Sequence, residues 1–205
     1  TSHELRTPLN GILGLSDSML YKDSNKVPDD IKENLQLIVN CGLRLSHLIN
    51  DLLDFQSVKL NAVKLNTQAL DIRLAVDTTL AMLNPLVKGK EIELINQIEA
   101  NLPPVEADDS RLQQILFNLI GNAIKFTPSG VVKVTAKLEN KFVKINIIDS
   151  GIGIPLNRQS EIFESFQQLD GSATRKYEGI GLGLSISKNL IERHAGTISV
   201  TSDIN

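Results

Sequence analysis

The chain opens with TSHELRTPLN, a stretch in which a histidine has the neighbours that chemistry requires. His3 stands beside an acid, Glu4, and Thr7 lies four residues after His3, so its side chain shares a helix face with the imidazole ring. Pro8 cannot donate the helical hydrogen bond to the carbonyl group of Glu4, which predicts a kink next to His3. A zinc site of the metalloprotease type is excluded, because its second histidine would occupy the position of Thr7. Whether His3 takes part in a reaction depends on the other motifs of the chain.

Two glycine-rich stretches later in the chain could hold a phosphorylated ligand. DSGIGIP (149–155) directly follows a predicted strand, and GIGLGLSISKNLI (179–191) opens a predicted helix. Glycines at such junctions let backbone amides come close to a ligand, and the N-terminus of a helix favours phosphate. Neither stretch fits the dinucleotide-binding fingerprint or the P-loop, and each taken alone is also compatible with an ordinary turn.

A third candidate is NLIGNAIKF, within a predicted helix. Asn118 and Asn122 are four residues apart, which places both amides on one helix face together with Lys125. Amide oxygens are suitable ligands for Mg²⁺, which otherwise keeps nucleotide phosphates and water, and a lysine can meet phosphates as a point charge. An asparagine pair alone would more often be a cap or a solvated face. The glycine stretches that follow favour a magnesium–nucleotide site.

The stretch EIFESFQQLDGSATRKYEG (161–179) separates the two glycine-rich stretches. Phe163 and Phe166 are spaced one helical turn apart and precede a polar, glycine-containing sequence. Such a sequence could close as a mobile lid over a bound nucleotide. The alternative is a helix end followed by an ordinary surface loop.

Two kinds of element must position these residues, and the first is a helical hairpin. Apolar residues three and four apart predict a short helix and then one long amphipathic helix near residues 30–60, with KDSNKVPDD as the turn between them. Two helices cannot fully cover both apolar stripes, so a homodimeric four-helix bundle is predicted. The apolar positions are Leu5, Leu9, Ile12, Leu13, Met19 and Leu20 in the first helix, and Ile31, Leu35, Ile38, Gly42, Leu45, Ile49 and Leu52 in the second.

After about residue 64 the pattern changes to alternating strands and helices, which predicts a second domain. Strands in antiparallel arrangement with helices on one face would form an α+β sandwich. The ending GTISVTSDIN is predicted to lie in or just after a strand. The predicted domains are therefore residues 1–63 and 64–205. The predicted elements are helices at 71–90 and 108–126, and strands at 91–98, 130–140 and 141–149.

Composition limits the function. The 205 residues are 41% apolar, and they carry a formal net charge of −3 without a long block of one charge, which argues against a nucleic-acid partner. No apolar run approaches the roughly 20 residues of a membrane helix. The only cysteine, Cys41, is predicted to be buried as a small apolar residue.

Five motifs in this order resemble those of one protein family. SHELRTPL, NLIGNAIKFT, DSGIGI, IFESF and GIGLGL are similar to the H, N, G1, F and G2 boxes of sensor histidine kinases. NAIKFTPSG and FQQLDGSATRKY are similar to the hybrid kinases of bacterial two-component phosphorelays. The resemblance covers nearly the whole chain. It implies an all-α dimerisation and histidine-phosphotransfer hairpin, followed by an α+β sandwich of the histidine kinase-type ATPase.

The resemblance assigns roles to the opening residues. His3 matches the phosphoacceptor, whose imidazole attacks the γ-phosphate of ATP, and Glu4 matches the acid that hydrogen-bonds or deprotonates the ring. Thr7 matches a position that helps to orient water when a response regulator is dephosphorylated. The resemblance implies a homodimer that phosphorylates His3 and passes the phosphoryl group to an aspartate of a response-regulator receiver domain. It also allows a phosphatase activity.

The implied cofactors are ATP and Mg²⁺. Asn122 matches the main Mg²⁺ ligand, which Asn118 assists, and Asp149 matches the carboxylate that accepts the adenine amino group. The remaining implied contacts are Lys125 with phosphate, Phe126 with adenine or ribose, Gly151 and Gly153 around the adenine pocket, and Gly179, Gly181 and Gly183 around the phosphates.

The chain departs from the family pattern in several places. Glu178 and Ile180 stand where close relatives have glycine and threonine, so we expect weaker nucleotide affinity or poorer lid closure. The final strand motif expected after GTISVTS is missing, and the chain starts immediately before His3. The resemblance implies the cytoplasmic portion of a membrane-anchored sensor kinase, with any membrane contact made outside this chain.

Three hypotheses about function remain open. The first is an ATP-dependent protein-histidine kinase. The second, which the altered glycine loop suggests, is a regulatory kinase-like dimerisation module with weak or no ATP turnover. The third is an ATPase of the same nucleotide fold that acts as a conformational clamp, and the helical hairpin carrying SHELRTP argues against it.

Overall fold

The computed structural model describes residues 2–22, 28, 31–32, 34–39, 41–42, 45, 49, 64–166 and 181–204. The chain divides into two compact units, Thr1–Asn61 and Ala62–Asn205. Each unit has its own buried residues and is described by itself.

The first unit contains helix α1 (Ser2–Lys22) and a second segment whose described residues between 31 and 49 are helical. A β-carbon added to Gly42 would lie 2.8 Å from Leu13 Cδ2 and 3.6 Å from Leu9 Cδ1. Glycine therefore lets the second segment approach α1 closely at this turn. The described residues agree with the predicted helical hairpin, and the rest of the long helix predicted near residues 30–60 lies outside them.

The predicted apolar seam of the second segment is only partly buried in the single chain. Leu35 and Gly42 are buried. Ile31, Ile38 and Leu45, which are spaced seven residues apart, remain between 44% and 49% exposed. Cys41 is exposed, so its predicted burial is wrong for the single chain. We call six of the exposed apolar residues of the two helices the apolar row: Ile31, Ile38 and Leu45 in the second segment, and Ile12, Leu15 and Met19 in α1.

The second unit packs helices against a mixed sheet, which agrees with the predicted α+β sandwich. The three-stranded sheet has the order β2–β4–β5, and a separate two-stranded sheet pairs β1 with β3. The elements are β1 (Thr67–Leu70), α2 (Ile72–Leu83), β2 (Ile92–Asn96), β3 (Val105–Asp108), α3 (Asp109–Phe126), β4 (Gly130–Glu139), β5 (Phe142–Asp149) and α4 (Gly183–Arg193).

The direction of β2 differs from the prediction. β4 and β5 form the predicted antiparallel hairpin, but β2 runs parallel to β4, with Ile92 opposite Gly130 and Asn96 opposite Val134. Parallel neighbours need a crossover connection, and β3 and α3 supply it here. The prediction of a purely antiparallel arrangement is therefore wrong. The pairing of β1 with β3 was not predicted, because each strand has only four residues and shows little periodicity.

Helix α3 forms the centre of the core of the second unit. Its residues Leu116, Ile120 and Ile124 are at most 1% exposed, and they pack with the fully buried Val132 and Val134 of β4. The buried positions of α3 leave a second face of the helix for other contacts. This face carries the asparagines singled out above.

The ends of α2 follow from its sequence. The carboxylate of Asp71 caps the helix by accepting a hydrogen bond from Leu74 N at 3.1 Å. The helix predicted over 71–90 ends at Leu83 and continues as a 3₁₀ turn, Asn84–Val87. Pro85 explains the ending, because it has no N–H group to continue the α-helical pattern.

Residues 196–204 are not assigned to a strand, so the prediction of a strand near the end GTISVTSDIN is wrong. We call residues 196–204 the C-terminal segment. The side chains of Ser202 and Gln159 take part in the hydrogen bonds between this segment and the chain after β5. These bonds therefore differ from the backbone-to-backbone ladder of a β-sheet. Among the described residues, no helix is long and apolar enough to cross a membrane.

Candidate functional site

Helix α3 begins at a carboxylate that caps it and anchors its surroundings. Asp108 accepts hydrogen bonds from Asn66 N and the Ser110 hydroxyl, both at 2.8 Å, and from Arg111 N at 3.1 Å. Asp108 is only 9% exposed. The hydrogen bond from Asn66, then that from Ser110, and the Arg111 backbone and charge lower the pKa of Asp108 to about 2, although burial opposes this shift. Asp108 is therefore ionised across the physiological range.

The same end of α3 is tied to the end of α4 by His194. The ring atom Nε2 accepts a hydrogen bond from Asp108 N at 3.0 Å, and Nδ1 lies 2.7 Å from the carbonyl oxygen of Leu190. Because Nε2 accepts a hydrogen bond, it must carry a lone pair. Nδ1 therefore carries the hydrogen and donates a hydrogen bond to the carbonyl oxygen of Leu190. His194 thus has a structural role in joining the two helices.

The predicted site residues of α3 lie along one half-buried face. Asn118, Asn122 and Lys125 are all partly exposed, in contrast to the buried face that contains Leu116 and Ile120. The Lys125 ammonium lies 5.0 Å from the centroid of the Phe126 ring, within cation–π distance. The α3 face therefore places two neutral amides and one cation at the edge of the unit.

Asn118 meets the start of α4. Its Nδ2 lies 3.4 Å from the carbonyl oxygen of Gly183 and 3.5 Å from Ser187 Oγ, so both hydrogen bonds are long. A β-carbon at Gly183 would lie 3.6 Å from Asn118 Cγ. The structure thus brings together one asparagine of the first motif and one glycine of the last, and it turns the Asn118 nitrogen towards α4.

Gly181 and the phenylalanines lie just before this contact. Gly181 has a φ of +75°, and its carbonyl oxygen accepts a hydrogen bond from Phe166 N at 3.0 Å. Residues 159–166 form turns, so the helical spacing predicted for Phe163 and Phe166 is wrong. Phe163 is half-buried and Phe166 is exposed. Residues 167–180, which include the predicted lid with Gly179, Glu178 and Ile180, lie outside the described part of the chain.

The first half of the loop after β5 is fixed to the end of α3. We call residues 149–155 the β5 loop. Asp149 Oδ1 accepts a hydrogen bond from Gly151 N at 2.9 Å, and Ile152 N donates to the carbonyl oxygen of Phe126 at 3.2 Å. A β-carbon at Gly151 would lie 2.5 Å from that carbonyl oxygen, so only glycine fits. Among the described residues, no hydrogen bond reaches Asp149 Oδ2.

The second half of the β5 loop is fixed to the C-terminal segment. Gly153 has a φ of +72°, and a β-carbon there would collide with the carbonyl oxygen of Asp203. Ile154 N donates to Ser202 Oγ at 2.9 Å, and Gln159 Nε2 donates to the carbonyl oxygens of Ile154 and Ser202. Gln159 and Ser202 belong to none of the sequence motifs. Ser202 is 48 residues from Ile154 and 43 residues from Gln159, so no local sequence pattern could have shown these contacts.

His3, Glu4 and Thr7 belong to the first turns of α1. Their side chains lie outside the described part of the structure. The α-helical assignment runs from Ser2 to Lys22 without a break at Pro8, and the predicted kink stays a prediction.

Two protein-family models match the chain. Residues 1–61 match the His Kinase A (phospho-acceptor) domain, and residues 107–205 match the histidine kinase-, DNA gyrase B- and HSP90-like ATPase. The two matches correspond to the helical unit and to most of the α+β unit.

Individual proteins similar to this chain are also histidine kinases. The autoinducer 2 sensor kinase/phosphatase LuxQ of Vibrio parahaemolyticus is 38% identical over 209 residues, which cover 98% of this chain and 24% of LuxQ. An uncharacterised sensor-like histidine kinase of Rhizobium meliloti is 38% identical over 203 residues, covering 98% of this chain and 39% of that protein. The chain therefore spans well under half the length of these curated relatives.

A solved structure supports the same grouping across both units. Full-length ShkA in complex with AMPPNP matches with a TM-score of 0.83 and 32% identity, over 100% of this chain and 42% of ShkA. With the phospho-acceptor and ATPase matches in the order of the five motifs, the chain belongs to the sensor histidine kinases and carries the catalytic core of that family.

Proposed function

We propose that this chain is an ATP-dependent protein-histidine kinase that phosphorylates its own His3. The observation that carries the proposal is the position of α3. Asn118 of this helix meets Gly183 at the start of α4, and the carbonyl group of Phe126 at its end holds the β5 loop. Three of the predicted nucleotide motifs thus converge on one helix. The family matches and the AMPPNP complex of the similar ShkA support ATP as the ligand.

Asp149 is the proposed recognition group for the adenine base. Its Oδ1 is occupied by Gly151 N, which fixes the carboxylate plane and leaves Oδ2 to accept the exocyclic amino group. Guanine has a carbonyl oxygen at the corresponding position, which would face the carboxylate with no proton between them. We therefore propose that the β5 loop selects ATP over GTP.

The residues of α3 fit a magnesium ion. Asn118 directs its nitrogen towards Gly183, which leaves its oxygen as a neutral oxygen ligand, and Asn122 lies one turn further on the same half-buried face. Neutral ligands suit a cation whose charge is balanced mainly by phosphates. When bound, Mg²⁺ would supply charge neutralisation to the nucleotide phosphates. Lys125 would add a second positive charge there.

The proposed reaction transfers one phosphoryl group twice. An imidazole nitrogen of His3 attacks the γ-phosphorus of ATP, the bond from this phosphorus to the β,γ-bridging oxygen breaks, and ADP leaves. Glu4 accepts or holds the proton of the other ring nitrogen. A receiver aspartate then attacks the phosphorus, and the P–N bond breaks to return His3. Thr7 is the proposed residue for orienting water in the separate phosphatase activity, in which water attacks the receiver's phospho-aspartate, the P–O bond to the aspartate breaks and inorganic phosphate leaves. The name of LuxQ also includes a phosphatase activity.

The proposed assembly is a homodimer that meets a response regulator. The apolar row leaves six large apolar side chains exposed in the single chain, and a second copy would cover them in a four-helix bundle. The structure of histidine kinase ThkA in complex with response regulator TrrA, which matches this chain at a TM-score of 0.62 and 25% identity over 95% of this chain and 53% of that chain, supports a receiver domain as the partner. We further propose that the core works at the cytoplasmic side as part of a longer, membrane-anchored sensor kinase.

Labelling with γ-labelled ATP and Mg²⁺ tests the kinase proposal. The wild-type chain should gain an acid-labile, alkali-stable label, and His3→Gln and Asn122→Ala should both lose it. His47→Gln is the matched histidine control and should keep the label. A folded dimer that binds ATP but gains no label would contradict the kinase proposal and favour the regulatory module, a hypothesis based on Glu178 and Ile180.

A further inference from the structure

Gln159 connects two parts of the second unit that are far apart in the sequence. It directly follows the 3₁₀ turn Leu156–Arg158 and is half-buried. Its Nε2 lies 2.9 Å from the carbonyl oxygen of Ile154 and 2.6 Å from that of Ser202. Both partners are carbonyl oxygens, which only accept, so the nitrogen end of the amide must face them and both of its hydrogens are used.

These contacts fix the second half of the β5 loop. The Ile154 residue is held through both of its backbone polar groups, since its N–H donates to Ser202 Oγ and its carbonyl accepts from Gln159. Gly153 precedes it, and a β-carbon there would collide with the carbonyl group of Asp203. The first half of the loop is held separately, by Asp149 and by Phe126 at the end of α3. Gln159 and Ser202 therefore complete the fixation of the loop that carries the base-recognition carboxylate.

We propose that Gln159 is a positioning residue for the nucleotide base. It does not touch the nucleotide, but it clamps the β5 loop to the C-terminal segment so that Asp149 and Gly153 keep the shape that accepts adenine. A loop that is already ordered loses little conformational freedom when the ligand binds, and this raises affinity. The inference rests on the proposed function, because it takes adenine as the base that the β5 loop recognises.

The test compares ATP and GTP dissociation constants for the full 205-residue chain and its variants. Gln159→Leu keeps a similar size but cannot donate, so the Kd for ATP should rise about tenfold with two hydrogen bonds lost. The Kd for GTP should rise less, which lowers the selectivity for adenine. The rate of His3 labelling at saturating ATP should stay within about twofold, since the reacting groups are not on the loop.

Gln159→Glu adds a pH readout that a purely structural residue would not give. At about pH 8 its carboxylate would face two carbonyl oxygens without a proton to share, and ATP should bind more weakly than to wild type. Hydrogen bonding through the neutral acid favours protonation, so at about pH 5.5 the side chain should donate one hydrogen bond and partly restore affinity. The neighbouring charges are Asp203 and the Arg158–Glu161 ion pair, and they are common to both proteins. The ratio of the two Kd values therefore cancels their titration and that of ATP.

Asn157→Ala is the matched control, because Asn157 is exposed in the same 3₁₀ turn. It should leave both Kd values unchanged, and thermal melting should show every variant folded at the temperature of the titration. If wild type does not prefer ATP to GTP, the proposed recognition of adenine by the β5 loop fails. If wild type prefers ATP but both Gln159 variants bind it as wild type does, the positioning role is wrong. Equal weakening of ATP and GTP in both variants, without recovery of Gln159→Glu at low pH, also overturns it.

Discussion

The amide nitrogen of Asn118 lies 3.4 Å from the carbonyl oxygen of Gly183, and 65 residues of chain separate the two. This contact joins the middle of α3 to the first residue of α4. It also orients the Asn118 amide, since the nitrogen contacts Gly183 and the oxygen is the proposed ligand for a cation. The proposed magnesium-binding face of α3 and the proposed phosphate-binding start of α4 are thereby next to each other.

Asn118→Ala should weaken magnesium-dependent nucleotide binding. The change removes one proposed oxygen ligand and the contact with α4, so the Mg²⁺ concentration that gives half-maximal ATP binding should rise about tenfold or more. Titration of Mg²⁺ at fixed ATP measures it. Asn146→Ala is the control, because Asn146 bonds only Thr135 on the sheet in the described contacts and lies away from α4. An unchanged Mg²⁺ requirement in Asn118→Ala would argue against the assigned ligand.

Gly153→Ala should damage the β5 loop. The new β-carbon would collide with the carbonyl group of Asp203, and the alanine would have to adopt a φ of +72°. The loop must therefore shift. We expect the Kd for ATP to rise at least about tenfold. Gly121→Ala is the matched glycine control, since its β-carbon would find its nearest neighbour, Leu83 Cδ2, at 4.0 Å. This helical substitution should add about 0.5–1 kcal/mol to the free energy of unfolding and spare binding. Normal affinity in Gly153→Ala would show that the loop tolerates displacement.

Asp108 should make the free energy of unfolding of the second unit depend on pH in the acidic range. Its folded-state pKa of about 2 lies below the unfolded value of about 3.9, so its contribution is fully present above about pH 4 and is lost as the pH falls through 2. Asp108→Asn mimics the neutral acid and should lower the free energy of unfolding by about 1 kcal/mol at neutral pH.

Urea denaturation followed by circular dichroism from neutral pH down to about pH 2.5 measures this effect. The difference between wild type and Asp108→Asn should shrink as the pH falls, because the wild-type carboxylate becomes neutral too. Asp109→Asn, at the exposed next position, should show a small difference. A difference for Asp108→Asn that stays constant with pH would contradict the assigned hydrogen bonds.

Ile38→Glu should disrupt the proposed dimer. Ile38 lies in the apolar row and is 44% exposed in the single chain, and a charge there would be desolvated at the interface. Sedimentation velocity should show monomer at protein concentrations where wild type is dimeric. Gln36→Glu introduces the same charge on the opposite side of the helix, since two residues turn the helix by about 200°, and it should remain dimeric. Dimers of equal stability in both variants would place the interface elsewhere.

Local patterns were enough for the elements that carry the site. The spacing of apolar residues predicted α1, the helix predicted over 108–126 corresponds to α3 (Asp109–Phe126), and the alternation in 130–149 predicted the β4–β5 hairpin. These features depend on side chains a few residues apart. The resemblance of five ordered motifs then gave the family, which the domain matches confirm.

Features that depend on distant residues were missed or wrong. The parallel pairing of β2 with β4 follows from the crossover through α3, and β2 alone does not reveal its direction. Cys41 is exposed because the second segment turns Leu35 and Gly42 towards the interior of its unit. Gln159 showed no local signal, since its importance depends on Ser202, which reaches it from the end of the chain. The roles of His3, Glu4 and Asn122 stay predictions.

The fastening of Ile154 by Ser202 has a consequence for synthesis of the protein. These residues are 48 positions apart, so a ribosome must complete almost the whole second unit before the loop after β5 acquires its final shape. α3 and the β4–β5 hairpin can begin to form earlier, because their contacts are with residues already made. In a nascent chain, the β5 loop would thus acquire its final shape only after α3 and the β4–β5 hairpin, and a product truncated before Ser202 would lack this hydrogen bond to the loop proposed to recognise adenine.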